Sequence, residues 1–277
     1  MKYRLTGLEK VSGAKFIAAF ANIPANTTIL DADKNRLSHK KIVNLVQAFQ
    51  LIPPSVSVFS LVDNDLGNIE AGKLQQFANL IPREVCSINL EKNKLFHKRG
   101  NELASFFAAF PPNLTKLNLS HNQLKDIKDG NLDIAFRAIP QSVRALNLCK
   151  NRLHLLSLDK LNALSNTLPH IETIVLSSNE IKRMSLEQRE ALGAVFPNVK
   201  EVYIVDNKGQ KVSPCLETSL IKSLKVREEV PSLLGIASFF VAKNKQHPQL
   251  RDYKQIIPED LHDTVDHALS LSPTAKF

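Results

Sequence analysis

The chain has 277 residues, 43% of them hydrophobic and 23% charged, with a formal net charge of +9. No apolar run is long enough to span a bilayer; the most apolar stretch, residues 233–241, falls far short. The N-terminal residues lack the apolar segment of a secretory signal peptide, and the three cysteines, Cys86, Cys149 and Cys215, are too few and too scattered for a disulfide scaffold or a metal site. They are expected to be reduced thiols in a cytosol-like compartment.

In chain order, residues 1–26 come first. Phe16, Phe20 and Ile23 fall on one helix face, and Pro24 ends that helix. With no full strand expected before it, this segment is read as an N-terminal capping half-repeat, covering a core that has no further neighbour.

Residues 27–208 repeat. The string Leu-Thr-Lys-Leu-Asn-Leu-Ser-His-Asn-Gln-Leu at residues 114–124 has counterparts starting at Thr27, Val56, Val85, Val143, Ile171 and Val199, at spacings of 29 residues and then 28 for the last two. An asparagine follows each time: Asn35, Asn64, Asn93, Asn122, Asn151, Asn179 and Asn207. Alternate leucines such as Leu117 and Leu119 point to one side of an extended chain. After each asparagine a turn and a helix are expected, then an apolar residue and a proline, as at Ile52-Pro53, Ile81-Pro82, Phe110-Pro111 and Ile139-Pro140. Proline stops the helix and restricts the residue before it. Leu45, Phe49 and Ile52 match Leu103, Phe107 and Phe110, and Leu132, Phe136 and Ile139, as the inward helix face. All seven asparagines are expected to pair loop backbone groups that the sheet leaves open.

The period and the L-x-x-L-x-L-x-x-N string resemble the leucine-rich repeat in its long, helix-containing form, as in ribonuclease inhibitor. The implied fold is α/β: a right-handed solenoid with a parallel sheet on the concave side, helices on the convex side and a small helical module, 209–277, at the C-terminus. A glycine, Gly209, replaces the leucine after the last asparagine and marks the end of the array. Beyond it Leu216, Leu220 and Leu224 fit one helix, residues 232–243 a second, and Leu261, Val265 and Leu269 a third. Residues 270–277 read as a tail.

No catalytic constellation emerges. His97, His121, His154, His170 and His262 belong to different repeats or turns, and neither G-x-S-x-G nor a phosphate-binding glycine loop occurs. No catalytic residue, metal or cofactor is expected, and the chain is expected to be a monomer. Function therefore falls to surfaces. The strand residues between the inward leucines form two concave columns: Ile29, Val58, Ser87, Lys116, Ala145, Thr173, Glu201, and Asp31, Ser60, Asn89, Asn118, Asn147, Val175, Tyr203. From these, Ile29, Asp31, Val58, Ser60, Asn89, Lys116, Asn118, Asn147, Val175, Glu201 and Tyr203 are the candidate partner-binding residues. The stacked asparagines are open to two readings, a ladder bonded side chain to side chain or a polar platform between semi-apolar ends where Tyr203 is an anchor.

Charge does not point to nucleic acid. From residue 209 onward there are 9 Lys+Arg against 8 Asp+Glu, so the excess lies in the repeats. There it falls on helices and connections, as at Lys40, Lys41, Lys98, Arg99, Lys125, Lys128, Lys182, Arg183 and Arg189, which read as solvated surface. Phosphate tracking needs a stripe of one sign.

The repeats, with segments such as Leu-Asn-Leu-Ser-His-Asn and Phe-Ala-Ala-Phe-Pro-Pro-Asn, are similar to the leucine-rich-repeat effectors that Legionella-type intracellular bacteria inject into host cells. That resemblance implies a protein made in the bacterial cytoplasm, translocated into the host cytosol, and bound there to a host protein. Ser232-Leu-Leu-Gly-Ile-Ala-Ser-Phe-Phe-Val241 is similar to the Elongin-binding helix of SOCS-box proteins, with Ala237 where cysteine is usual. This second resemblance implies an alternative, an adaptor that recruits Elongin B/C through Leu233, Ala237 and Phe240 and a cullin through the segment around Pro258. Plain core is the other reading of that helix.

Overall fold

Residues 1–212 and 220–225 are described by the computed structural model, and all belong to the first compact unit, Met1–Arg227. The helices expected near 232–243 and 258–269, the tail and Cys215 lie outside the described residues.

Eight parallel strands form one sheet in chain order: β1 Lys2–Arg4, β2 Ile29–Asp31, β3 Val58–Ser60, β4 Ser87–Asn89, β5 Lys116–Asn118, β6 Ala145–Asn147, β7 Thr173–Ser177 and β8 Glu201–Val205. The helices between them are α1 Gly13–Ala21, α2 Ile42–Phe49, α3 Ala71–Asn79, α4 Gly100–Ala108, α5 Leu132–Arg137, α6 Leu158–Ala163, α7 Ser178–Arg183 and α8 Leu186–Gly193. Strands this short cannot hold a face alone, so stacking supplies the core. Leu30, Phe59, Ile88, Leu117, Leu146 and Ile174 are buried in line along the sheet. Under the helices Phe20, Phe49 and Phe77 stack at centroid distances of 5.7 and 5.4 Å. The prolines open turns: the N–H of Val56, Val85, Leu114 and Val143 donate to the carbonyls of Pro53, Pro82, Pro111 and Pro140.

Five asparagines, Asn35, Asn64, Asn93, Asn122 and Asn151, are fully buried. The Oδ1 of Asn122 accepts from the N–H of Asn93 at 2.9 Å and of Leu95 at 3.4 Å, one repeat back. Its Nδ2 donates to the carbonyls of Leu90, Leu119 and Ser120. The same bonds link Asn35 to Asn64, Asn64 to Asn93, and Asn122 to Asn151 at 3.0–3.1 Å. On both sides of every one of these asparagines the chain is left-handed, with φ between 48 and 61° at Lys34, Arg36, Asp63, Asp65, Lys92, Lys94, His121, Gln123, Lys150 and Arg152.

The structure departs from the sequence reading at both ends of this ladder. A strand, β1, does precede α1: Tyr3 pairs in register with Leu30, and the N–H of Leu8 donates to Asn35 Oδ1 at 3.0 Å. Leucine stands there in place of asparagine, so the repeat was hidden. At the other end Asn179 and Asn207 are exposed and outside the ladder. The chain enters α7 directly from β7, and Glu180, 8% exposed, takes the position. Its carboxylate accepts the N–H of Arg152. β8 is followed by a tight turn at Asp206, whose carboxylate accepts from the N–H of Lys208 and Gln210 at 2.8 Å, and a bridge from Val205 to Lys211 covers the edge. Leu220 and Leu224 are buried, the latter so close to α8 that a Cβ on Gly193 would lie 1.7 Å from its carbonyl oxygen.

Two bases read as solvated are not. Lys98 is 7% exposed and its Nζ donates to the carbonyl of Ile69. It holds the position that the buried Ile69 and Ile127 occupy in the flanking repeats. Lys40 Nζ bonds the carbonyls of Leu8 and Val11, both at 2.6 Å. Burial lowers the pKa of both ammonium groups.

Two measurements test the ladder. Asn122→Ala strands buried N–H and C=O groups and should cost about 1–3 kcal/mol, while Asn179→Ala should leave the melting point within error; equal effects would refute the assignment. Burial raises the Glu180 carboxyl above its ordinary 4.5, although the N–H groups of Arg152, Asn151 and Lys150 oppose the shift. Above 4.5 the native state therefore keeps a proton the unfolded chain has lost, and stability falls as pH rises through the raised value. Glu180→Gln keeps the acceptor without the charge. It should melt higher than wild type near neutral pH, by a margin that shrinks toward acid; a constant margin would show that ionisation is not the cause.

Candidate functional site: the concave sheet face

Strand register places both outward columns as expected. Ile29, Val58, Ser87, Lys116, Ala145, Thr173 and Glu201 pair in turn, as do Asp31, Ser60, Asn89, Asn118, Asn147, Val175 and Tyr203. Inward residues carry the core, so these columns face away from it. Lys2 and Arg4 of β1 extend them by one strand.

The two ends of the face are occupied by the protein itself. Asp31 is 3% exposed, with Arg4 Nε at 2.7 Å and Lys2 Nζ at 3.3 Å from its carboxylate. Burial pushes its pKa up, but Arg4, the N–H of Asp33 and Lys2 outweigh this and hold it below the usual range. Ser60 donates to Asp33 Oδ1 at 2.6 Å. At the far end Tyr203 donates to Glu201 Oε2 at 3.1 Å, and Lys211 Nζ sits 3.7 Å from its ring centroid. Cation–π stacking covers one face of the ring expected to be an anchor. Sequence reasoning missed the three bases that close these ends, because Lys2 and Arg4 lie in the first repeat, hidden by its missing asparagine, and Lys211 follows the last strand.

The middle of the face is open. Asn89, Asn118 and Asn147 are half-buried and do not bond one another. Each Oδ1 instead accepts from the backbone N–H two residues on, at Glu91, Ser120 and Cys149, at 2.9–3.0 Å. Lys116 is exposed, and Val58 and Val175 are half-buried. Ile29, 37% exposed, lies at the N-terminal end. Leu233, Ala237 and Phe240, the residues of the Elongin-binding resemblance, lie outside the described residues.

Bases along the loop edge of the sheet are paired or interrupted by acids. Lys94 meets Asp65 at 2.6 Å, Lys92 meets Glu91 at 3.2 Å and Arg152 meets Asp126 at 3.0 Å. Asp63 and Asp65 fall between the basic positions of neighbouring repeats. This is not the single-sign track that a phosphate backbone requires.

Among the described residues, nucleophile and base types come together at the repeat where Glu180 replaces the ladder amide. His154 Nδ1 lies 3.8 Å from Glu180 Oε1, and burial lowers its pKa. Cys149 is 5% exposed, and burial, followed by the charge of Glu180, pushes its thiol up to about 12. A thiol so held is not a nucleophile near neutral pH. Among the described residues no group of three His, Cys, Asp or Glu is placed to hold a metal ion, and no helix is long and apolar enough to cross a membrane.

Comparison with solved structures finds a leucine-rich repeat-containing protein, LegL7 from Legionella pneumophila. It is similar to this chain at 38% sequence identity and a TM-score of 0.75, over 83% of this chain and 73% of that one. No protein-family model matches the chain, and no curated protein does.

Cys149 offers a direct test of the reactivity argument. In the folded protein it should resist iodoacetamide at mildly alkaline pH and react only on unfolding. Rapid native alkylation at Cys149, mapped by mass spectrometry, would reopen the question of chemistry at this repeat.

Proposed function

The chain belongs to the leucine-rich-repeat proteins, and from that premise we propose that it acts by binding a protein on the concave face of its sheet, not by catalysis. One observation carries this reading. The inward residues and the buried amides hold the fold, so a register-aligned surface across β3 to β7 remains open between two ends that the protein closes for itself. Repeat proteins make only neighbour contacts in their cores, which leaves such a surface available for recognition. The resemblance to injected effectors, together with the likeness to a protein of Legionella pneumophila, supports a host cell as the setting and a host protein as the partner. In this reading the chain is made in the bacterial cytoplasm and works in the host cytosol as a monomer without cofactor.

A steric block tests the surface without assuming its chemistry. Ser87 and Ala145 flank Lys116 in the outer column, and neither side chain makes a hydrogen bond among the described residues. The pair Ser87→Arg and Ala145→Arg fills the middle of the face. The purified full chain should retain a protein from host-cell lysate, and the pair should lose it with an unchanged melting point. Capture that survives the block but is lost on neutralising Lys125 and Lys128 would place binding on another side.

A further inference from the structure

Asn89, Asn118 and Asn147 stand side by side on β4, β5 and β6. Neighbouring strands are about 4.8 Å apart, so the row spans about 10 Å. A primary amide has one acceptor oxygen and two N–H donors. Here each oxygen is committed to the backbone N–H of Glu91, Ser120 or Cys149. That bond fixes which end of the amide is turned to the protein. The Nδ2 groups find no acceptor among the described residues, although the side chains are half-buried. The ladder asparagines differ: Asn122 Nδ2 meets three carbonyls. Beside the row Lys116 is exposed and makes no ion pair among the described residues, with small neighbours at Ser87 and Ala145. The acid two residues beyond Asn89, Glu91, is already engaged by Lys92 at 3.2 Å and lies 3.9 Å from His121. The strip thus presents donors and an ammonium on one face of the sheet.

We propose that this strip recognises an acidic, extended segment of a protein, whose carboxylates and main-chain carbonyls accept from the three amides while Lys116 meets a carboxylate. The inference rests on the concave-face reading and specifies its chemistry. A span of about 10 Å is the length of about three extended residues. Hydrogen bonds to a charged acceptor are the strong ones, and the exposed Lys116, without an ion pair among the described residues, sets a positive charge beside the row.

Asp31 supplies the design of the test. It occupies the same column and accepts the N–H of Asp33 through Oδ1 at 3.3 Å, so aspartate is compatible with the position. Asn89→Asp with Asn147→Asp keeps the inner bond and removes two donors. Lys116→Glu is a second, independent variant. Gln75→Glu with Gln76→Glu, on the exposed side of α3, is the charge-matched control. Fluorescence anisotropy on the full chain would use short synthetic peptides rich in Asp and Glu, an apolar set, and a single-stranded oligonucleotide. The acidic set should bind best, lose about tenfold or more in affinity with either concave variant, and keep its affinity with the control. No binding of the acidic set, equal loss with the control, or tighter binding of the oligonucleotide would overturn the proposal. Preference for the apolar set that is lost only with Ser87→Arg and Ala145→Arg would also overturn it while leaving the concave-face reading intact. Lysate capture indifferent to that steric pair would instead remove the concave-face reading itself.

Discussion

The fold depends on a buried amide that accepts two backbone N–H groups from the repeat before it. Where both N–H groups reach one oxygen the residues on either side of the donating asparagine are left-handed, as at Lys92 and Lys94 around Asn93, whose N–H joins that of Leu95 on Asn122 Oδ1. For residues other than glycine that conformation costs about 1–2 kcal/mol each. It persists because the alternative is worse: a buried, unpaired N–H or C=O costs about 1–3 kcal/mol, and each ladder amide from Asn64 to Asn151 pairs at least four backbone groups. The conformation and the side chain are therefore one device, and neither holds without the other. At β1 the device is half present, with Gly7 left-handed at φ 73° and Leu8 offering only its N–H. At β7 it is absent, and Glu180 satisfies the last donors with a carboxylate whose burial raises its pKa.

That device also sets the register of the concave face. Because the bonds repeat from Asn35 to Asn151, the strands align residue for residue, and outward positions form straight columns. At the two ends of the described sheet the face is closed with charge. Arg4 and Lys2 neutralise Asp31 at one end, and Lys211 covers Tyr203 at the other. Lys40 and Lys98 do the same for loop carbonyls on the helical side. Part of the basic excess is thus internal structure, which is why net charge is a poor guide to partners in this chain.

The repeat period, the strand columns and the inward phenylalanines were legible in the sequence, since each follows from a strict spacing of residue types that have one physical role. What escaped was whatever kept the role and changed the residue. Tyr3 and Leu8 build a repeat without its asparagine, and Glu180 replaces an amide with an acid. The contraction of the spacing from 29 to 28 residues marked that change, and Asn179 lay one position away as a decoy. Lys98 sits where isoleucine belongs because a long side chain can bury its stem and still bond a carbonyl. Residue type announced a solvated charge there, and only the packing shows otherwise. Among the candidate site residues, the columns were readable from alternation. The engagement of Asp31, Ser60 and Tyr203 was not, because their partners come from outside the repeat or from the loop beyond the strand.

The concave face is consequently not equally free to vary along its two columns. The outer column, from Ile29 to Glu201, mixes apolar, small and charged residues, and Ser87, Lys116 and Ala145 contribute nothing visible to the fold beyond strand pairing. Four positions of the inner column are constrained, because the side chain there closes a turn by accepting the N–H two residues on. Asp31, Asn89, Asn118 and Asn147 all make that bond. Aspartate and asparagine both provide the oxygen, and at Asp31 the charge that comes with it is met by Arg4 and Lys2. The choice between them decides what the surface shows to a partner, a negative oxygen or a pair of N–H donors. Three successive asparagines, where aspartate would supply the same oxygen, leave a row of donors that no acceptor among the described residues meets.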